Sequence, residues 1–262
     1  MSQDNALHGA IAIVTGGATG IGAATVKALA AEGCAVVVDY VGDEKNAAQK
    51  VCAEAERLGA RAIAVERDIS TEDGVCAVFD ACQAQLGLAD ILVNSAGVNG
   101  QGIHVADMPL EQWQKTLSVN LTGPFLCSRE FVRRLRGKNK TGRIVNVSSV
   151  HEDIVFKGFA DYDSSKAGLL SLTRTLAFEV ASIGIRVNAV SPGMVLTSMN
   201  EEAQDDPAAL EQKTEHIPMR RAATPDDIAS IVVFLCKSDS AYITGTSIRA
   251  DGGLSLNTGQ GA

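Results

Sequence analysis

Three side chains with the chemistry of proton transfer follow one another in the second half of the chain. Ser149 closes an apolar run, Tyr162 comes thirteen residues later, and Lys166 follows four residues after the tyrosine. Residues i and i+4 of a helix share one face, so Tyr162 and Lys166 can face a single cleft. The set suits hydride transfer to or from a carbon that bears oxygen, because such a reaction needs a group that moves the hydroxyl proton.

The roles of these side chains follow from their acidities. Free tyrosine has a pKa near 10, and a nearby ammonium group favours the phenolate. Lowering that pKa to about 7 would take roughly 4 kcal/mol, at 1.36 kcal/mol per unit. We therefore predict Tyr162 as general base and acid, Lys166 as the cation that lowers its pKa, and Ser149 as the donor to the substrate oxygen. Taken singly, each of these residues is also typical of an ordinary helix face or turn.

A glycine-rich turn near the start of the chain indicates a nucleotide site. An apolar run at 11–14 leads into Thr-Gly-Gly-Ala-Thr-Gly-Ile-Gly at 15–22, and a helical pattern follows. Glycines allow a tight turn and a close approach of backbone to a ligand. The next helix presents free N–H groups and a positive dipole end to a pyrophosphate. The segment predicts a Rossmann-type dinucleotide site, with a glycine turn that binds nothing as the alternative.

The end of the second apolar run bears on the choice of dinucleotide. Asp39 follows that run, and a carboxylate there can accept a hydrogen bond from a ribose 2′-OH, whereas a 2′-phosphate requires Arg or Lys. Neither Arg nor Lys occurs between Asp39 and Glu44. The sequence therefore favours NAD, with NADP as the alternative.

These motifs, taken together and in this order, resemble those of the short-chain dehydrogenase/reductase family over nearly the whole chain. Besides the catalytic set, the matching features are the spacing T-G-x-x-x-G-x-G at 15–22, Asn-Ser-Ala-Gly at 94–97, and Ser-Pro-Gly at 191–193 followed by Thr197. Ser95 departs from the family, which has a second Asn there. The resemblance implies a homotetramer, and it adds Asn120 as a fourth catalytic residue that holds a water in a proton relay.

The resemblance also completes the predicted cofactor site. It places Asp68 at the adenine, residues 94–97 beside the adenosine ribose, and the segment from 191 near the nicotinamide carboxamide. Since the family's acidic position can align with Tyr40, that residue is the alternative to Asp39. The predicted cofactor-binding residues are Gly16, Thr19, Gly20, Ile21, Gly22, Asp39, Asp68, Ile69, Asn94, Ala96, Gly97, Tyr162, Lys166, Pro192, Gly193, Val195 and Thr197.

The residues just after Ser149 bear on the substrate. Ser-Ser-Val-His-Glu at 148–152 and Ala-Asp-Gly-Gly at 250–253 look most like glucose 1-dehydrogenases and related sugar or polyol dehydrogenases. Polar side chains here could hydrogen-bond a polyol, and we predict substrate contacts from Ser149, His151, Glu152 and Tyr162. A surface loop without such a role is the alternative interpretation.

Two other functions stay open on the sequence. The overall frame also resembles 3-oxoacyl-carrier-protein reductases, and a cluster of Arg and Lys at 129–140 could dock an acidic carrier protein. Cations at the end of a helix are, however, commonly solvated. The other candidate is a non-catalytic NAD-binding regulatory protein, which the intact catalytic set disfavours, since a pure binder needs no proton-transfer group.

The elements that must position these residues show as alternating patterns. Short apolar runs, typical of strands covered on both faces, occur at 11–14, 35–38, 62–65, 91–93, 144–147, 185–190 and 247–248. Helical spacing occupies 22–31, 45–58, 75–86, 113–135, 164–181 and 226–236. We predict a single α/β domain over 1–262, with a Rossmann-type doubly wound parallel sheet of about seven strands and helices on both faces. The irregular stretch at about 194–221 predicts a substrate lid, with a plain pair of surface helices as the alternative.

Composition excludes several classes of protein. Hydrophobic residues make up 46% and charged residues 21%, which rules out a disordered chain. The formal net charge of −8 disfavours nucleic acid as a partner. The longest apolar run, at 231–236, is far shorter than the roughly 18 residues of a membrane span, and the N-terminus shows no secretion signal. Six scattered cysteines without metal-ligand spacing predict reduced thiols and no metal site, and reduced thiols are typical of a cytoplasmic protein. The predicted partner is a small alcohol or carbonyl substrate.

Overall fold

Seven parallel strands form one sheet in the computed structural model, which describes residues 7–138, 140–197 and 207–257. The strands are β1 (Ile11–Thr15), β2 (Ala35–Tyr40), β3 (Ala62–Glu66), β4 (Ile91–Asn94), β5 (Gly142–Val147), β6 (Ile185–Pro192) and β7 (Ser247–Ala250). Their order across the sheet is β3-β2-β1-β4-β5-β6-β7, which confirms the predicted doubly wound α/β fold.

Helices cover both faces of this sheet, because the strands are apolar on both sides. Alternate residues of β1 separate the two cores. Val14 packs in the same cluster as Leu29 and Val232, whereas Ile13 belongs to the cluster of Val78 and Phe131. The helices are α1 (Gly20–Ala31), α2 (Lys45–Arg57), α3 (Glu72–Gln85), α4 (Leu110–Leu117), α5 (Gly123–Leu135), α6 (Ala160–Val180), α7 (Pro207–Thr214) and α8 (Pro225–Cys236).

The winding of the sheet reverses between β1 and β4. The register pairs Thr15 with Asn94 at the carboxyl ends of these strands, and Asn94 pairs in turn with Asn146 of β5. In open α/β sheets, ligands bind in the crevice outside such strand ends. The fold therefore places a ligand site above the ends of β1, β4 and β5.

The single helix predicted over 113–135 is wrong in one respect. The structure ends α4 at Leu117, inserts a π-helical turn at Ser118–Thr122, and begins α5 at Gly123, whose N–H donates to the Ser118 carbonyl five residues back. Pro124 is the physical reason, since it has no N–H for the carbonyl of residue 120 and its ring clashes with a regular turn. π-Turns inside helices occur frequently at functional sites, and this turn holds Asn120.

The predicted lid at about 194–221 is described only in part, because residues 198–206 lie outside the described residues. On the near side of that gap, Val195 forms an isolated parallel bridge with Ala223. On the far side α7 follows, and Ile217 is buried at 2% exposure. The role of this segment as a lid stays a prediction.

Candidate active site

Tyr162 and Lys166 lie one turn apart on α6 and face the end of β5. Lys166 is 5% exposed, and its Nζ donates to the carbonyl of Val147 at 3.1 Å. The same Nζ lies 5.5 Å from the centroid of the Tyr162 ring. The i, i+4 spacing thus brings the phenol and the ammonium group into one buried pocket.

Ser149 completes the pocket from the loop that leaves β5. Its backbone is extended, with φ −164° and ψ 159°, and its hydroxyl oxygen accepts from the backbone N–H of His151 at 3.3 Å. The Ser149 hydroxyl is also close enough to the Tyr162 phenol to favour the phenolate. A substrate oxygen could therefore meet both hydroxyls at once.

Burial dominates the electrostatics of this pocket. It raises the pKa of Tyr162 above its ordinary value; the nearby Ser149 hydroxyl acts in the opposite direction, and the nearby Asp163 charge adds to the rise. Burial also lowers the pKa of Lys166 to about 8. We expected the Lys166 ammonium group and a positively charged nicotinamide together to lower the tyrosine pKa, whereas desolvation of the phenolate is the largest influence in the structure. In the chain by itself the phenol is protonated at neutral pH.

Asn120 links the π-turn to the loop after β4 and to α6. Its Oδ1 accepts from the Val98 N–H at 2.8 Å, and its Nδ2 donates to the Val98 carbonyl at 2.9 Å and to the Ser165 hydroxyl at 3.2 Å. A Cβ on Gly97 would lie 3.4 Å from Asn120 Oδ1 and 3.9 Å from Lys166 Nζ. The π-turn, the loop after β4 and α6 therefore meet at Asn120, as its predicted place near Lys166 requires.

At two positions of the glycine turn, the close packing leaves no room for the Cβ of any other residue. A Cβ on Gly22 would lie 2.0 Å from the Gly16 carbonyl oxygen, and a Cβ on Gly16, whose φ is +60°, would lie 2.7 Å from the Cα of Ala96. At the start of α1, Thr19 makes no side-chain capping bond, and the first turn carries no acidic residue. Uncapped N–H groups at a positive dipole end suit a pyrophosphate.

A cleft of about 450 Å³ opens beside this turn. Gly20 and Thr197 approach each other across it, since a Cβ on Gly20 would lie 3.3 Å from Thr197 Cγ2. Gly193 follows β6 and donates to the Ala250 carbonyl at 3.1 Å. The described residues that line the cleft include Ala18, Thr19, Gly20, Ala23, Lys27, Leu196, Thr197 and Asp226.

The two acidic side chains predicted for the adenosine end differ in exposure. Asp39 is 2% exposed, one of its carboxyl oxygens has no hydrogen-bond partner among the described residues, and burial raises its pKa well above the usual range. Asp68 is exposed and its Oδ1 accepts from the Ser70 N–H at 2.9 Å. Glu44, which sequence reasoning did not single out, lies 3.4 Å from the Thr19 hydroxyl and brings a second carboxylate to the mouth of the turn.

Other predicted cofactor residues are engaged with the protein. The Asn94 amide donates to Asn146 Oδ1 at 2.7 Å, and Ile69 is buried under Gly123. The Ala96 N–H donates to the Thr15 hydroxyl at 3.2 Å, which holds the loop after β4 against the end of β1. Their contacts with the protein hold the ends of the strands in place.

The loop after Ser149 is less polar toward the site than its sequence indicates. Asp153 forms a surface ion pair with Arg249, and Glu152 is 8% exposed with one carboxyl oxygen unpartnered among the described residues. Phe156 stacks on His151 at a centroid distance of 4.7 Å, and Phe159 lies 5.9 Å from the same ring. Sequence reasoning missed both phenylalanines, although their spacing of three residues before α6 was visible.

Among the described residues, the cysteines form no disulfide and no cluster of metal-ligating side chains is found. All six cysteines are free thiols. Over residues 7–138, 140–197 and 207–257, no group of His, Cys, Asp and Glu side chains is placed to hold a metal ion. A search of the same residues finds no helix with the length and apolarity that a membrane crossing requires.

A doubly wound sheet with a glycine turn, a phenol and a buried amine at its switch point defines an NAD(P)-dependent oxidoreductase of CH–OH groups. Residues 16–255 match a family model described as Enoyl-(Acyl carrier protein) reductase. The chain is 41% identical over 257 residues to 3beta-hydroxysteroid dehydrogenase 1 of Eggerthella lenta, covering 97% of this chain and 96% of the relative. The chain belongs to the short-chain dehydrogenase/reductase family.

Further relatives carry different names over a similar length. Glucose 1-dehydrogenase 2 of Bacillus subtilis is 35% identical, with 97% of this chain and 98% of the relative covered. A 3-oxoacyl-[acyl-carrier-protein] reductase of Synechocystis is 39% identical, with 95% and 98% covered. The relatives therefore share the family but not one substrate.

Solved structures agree with the fold. Acetoin dehydrogenase from Enterobacter cloacae superposes with a TM-score of 0.87 at 37% identity, covering 97% of this chain and 98% of that one. A protein from Agrobacterium tumefaciens, described as a candidate 2-deoxy-d-gluconate 3-dehydrogenase and crystallised with NADP, gives a TM-score of 0.87 at 30% identity, with 97% and 100% covered.

Proposed function

We propose that the chain is one catalytic unit that transfers hydride between a secondary alcohol or its ketone and NAD, with Tyr162 as general base and acid. The observation that carries this proposal is the meeting of three groups: Lys166 is buried with its Nζ 5.5 Å from the centroid of the Tyr162 ring, and the Ser149 hydroxyl is close enough to the Tyr162 phenol to favour the phenolate. A protein that only bound a dinucleotide would need no phenol and hydroxyl placed together for proton transfer.

Each side chain has one task in the oxidation of an alcohol. Ser149 donates to the substrate oxygen and holds it, while the Tyr162 Oη takes the hydroxyl proton. When bound, oxidised NAD supplies the acceptor for the hydride and a positive charge beside the phenol. That charge opposes the effect of burial on the tyrosine pKa, and Lys166 adds a second cation below its own pKa of about 8. Asn120 holds the loop after β4 against Lys166.

The cofactor assignment rests on the close packing of the glycine turn and the charges at its mouth. Gly16, Gly20 and Gly22 leave the backbone open to a pyrophosphate at the start of α1. The Glu44 carboxylate would repel a 2′-phosphate, and the buried Asp39 carboxyl, with one oxygen unpartnered among the described residues, could accept from the free ribose hydroxyl of NAD. Thr197 lines the same cleft, and the segment of Pro192, Gly193, Val195 and Thr197 at the end of β6 is proposed for the nicotinamide end.

The substrate is proposed to be a sugar, a polyol or a similar hydroxylated compound, held by Ser149, His151, Glu152 and Tyr162. Names among the relatives, a glucose dehydrogenase and a hydroxysteroid dehydrogenase, support a ring-bearing secondary alcohol. The aromatic rings of Phe156 and Phe159 support one with an apolar face.

Reduction of a 3-oxoacyl thioester is the less favoured candidate. A relative carries that name, but three of the six cations in the basic cluster at 129–140 are paired with carboxylates. Arg134 pairs with Asp80 at 2.7 Å and Glu130 at 2.6 Å, and Lys140 pairs with Asp90 at 3.0 Å. Cations already paired have little charge left to attract an acidic carrier protein.

We also propose a cytoplasmic homotetramer. Six free thiols are typical of a reducing compartment. Phe178 on α6 is 91% exposed, an apolar surface that a second copy of the chain would cover.

The test of the catalytic role is Tyr162→Phe, which removes only the phenolic oxygen. We expect NAD-linked oxidation in a panel of aldoses, polyols, steroids and β-ketoacyl thioesters to fall about a hundredfold or more, with NAD binding by calorimetry unchanged. Tyr242→Phe is the matched control, since Tyr242 is fully exposed and distant from the site. Retained turnover in the Tyr162 variant would contradict the role, and tight NAD binding by the wild type without turnover of any compound would favour a regulatory binder.

A further inference from the structure

A histidine and a carboxylate form a pair beside the catalytic tyrosine, and the proposed reaction assigns nothing to the carboxylate. His151 Nδ1 lies 2.5 Å from Asp163 Oδ1. Asp163 directly follows Tyr162 on α6 and is 7% exposed. Its other oxygen accepts from the backbone N–H of Phe156 at 3.1 Å, so both carboxyl oxygens are engaged.

The carboxylate determines which nitrogen of His151 carries the proton. A carboxylate can only accept, so Nδ1 must be the donor, and in the neutral ring Nε2 then keeps its lone pair. No hydrogen bond to Nε2 is present among the described residues, and 18% of the His151 side chain is accessible. Nε2 therefore has no protein partner among the described residues that a ligand would have to displace.

The imidazole stands next to the groups that hold the reacting oxygen. Its ring centroid is 5.2 Å from that of Tyr162, edge to face, and its backbone N–H donates to the Ser149 hydroxyl. Phe156 covers one side of the ring in a stack, and Phe159 lies beyond it. The His151 acceptor is thus flanked by aromatic rings and lies beside Ser149 and Tyr162, which hold the reacting oxygen.

We propose that Asp163 is a positioning residue that holds His151 with Nε2 as acceptor for a second hydroxyl of the substrate. That hydroxyl lies one or two carbons from the reacting carbon, on a ring whose apolar face contacts Phe156. The substrate class is a cyclic diol or polyol, with a flat apolar face next to the hydroxyls. The inference rests on the proposed function, since Tyr162 and Ser149 define the reacting carbon.

The kinetic test compares cyclohexanol with cyclohexane-1,2-diol and cyclohexane-1,3-diol. In the wild type we expect kcat/KM to be about tenfold higher for at least one diol, the size of one hydrogen bond to a buried acceptor. Asp163→Asn can donate its amide to Nδ1 and so move the proton to Nε2, which should abolish that preference. The readout is the ratio of kcat/KM for the diol to kcat/KM for cyclohexanol, because loss of the Asp163 charge also acts on the pKa of Tyr162 and so on both rates. Asp153→Asn, in the exposed pair with Arg249, is the matched control.

A double-mutant cycle separates positioning from a general structural role. In a His151→Ala background, Asp163→Asn should have no further effect on the ratio of diol to cyclohexanol. Equal loss for all three alcohols, or a loss that persists without His151, would overturn the inference while leaving the oxidoreductase function intact.

A second measurement does not depend on turnover. Nitrogen-15 NMR of histidine-labelled protein, with the His151 signal assigned by its loss in His151→Gln, reports which ring nitrogen is protonated. We expect Nδ1–H in the wild type, and in saturating NADH an Nε2 shift caused by the diols but not by cyclohexanol. A proton on Nε2 in the wild type, or equal responses to all alcohols, would refute the inference. An Nε2 response to diols without oxidation of any alcohol would instead refute the proposed function.

Discussion

Lys166 carries a charge that the fold buries at a cost, and this cost predicts a pH dependence of stability. Burial lowers its pKa from 10.5 to about 8. At 1.36 kcal/mol per unit, that difference corresponds to about 3 kcal/mol. Between pH 8 and 10.5 the unfolded chain still binds a proton that the folded chain has released, so the free energy of unfolding rises with pH in this window. Below pH 8 both states are protonated and the full cost is present.

Lys166→Met removes the titrating group and keeps the length of the side chain. From about pH 7 to about pH 10.5, the wild type should therefore gain about 3 kcal/mol of stability relative to the variant. Thiols and phenols titrate in the same range, but they do so in both proteins, and the difference between the two curves isolates the lysine. The hydrogen bond to Val147 shifts the variant by a constant amount and does not change the slope.

The assay is urea unfolding of the cofactor-free protein at fixed concentration, followed by the fluorescence of the single tryptophan, Trp113. Lys50→Met is the control, because Lys50 lies on the exposed face of α2 and its curve should run parallel to the wild type. Parallel curves for Lys166→Met as well would refute the reasoning, since the ammonium group would then not be desolvated. Turnover of the Lys166 variant should fall in addition.

Three more outcomes follow from contacts in the structure. Glu44→Gln should lower the ratio of kcat/KM with NAD to that with NADP severalfold, because one carboxylate at the mouth of the glycine turn is lost; an unchanged ratio would place the ribose elsewhere. Gly22→Ala puts a Cβ 2.0 Å from the Gly16 carbonyl and should weaken NAD binding at least about tenfold by calorimetry; unchanged binding would show that the turn can shift freely. Thr224→Ala removes one half of the capping box that joins Thr224 and Asp227 at the start of α8, and should lower the free energy of unfolding by about 1 kcal/mol with the NAD affinity unchanged.

The strands and the grouping of Ser149, Tyr162 and Lys166 could be predicted from the sequence, because both depend on local patterns. Seven near-continuous apolar runs correspond to the seven strands of the sheet, since such runs suit strands buried on both faces. Tyr162 and Lys166 meet because a helix brings i and i+4 to one face. Pro124 also indicates the break between α4 and α5 in the sequence, but the hydrophobic period continues across it and predicts one helix.

The charges behaved differently, because an ion pair depends on what lies opposite. Asp153 belongs to the polar stretch just after Ser149, yet it pairs with Arg249, which lies 96 residues away in sequence. Arg134 counted toward a basic surface until Asp80 and Glu130 were found against it. Glu130 lies four residues before Arg134 on the same helix, so local spacing could have indicated it, whereas Asp80 and Arg249 come from other elements that no local spacing reports.

The sequence by itself determined the fold class, the order of the elements and the residues proposed for proton transfer, because each depends on periodicities of a few residues. Only the tertiary structure decided the surroundings of those groups: burial raises the pKa of Tyr162, and Asp163, the next residue on α6, pairs with His151. Desolvation and hydrogen-bond geometry are properties of the surroundings in space. They arise when α6, the loop after β5 and the loop after β4 pack together, and no single segment contains them.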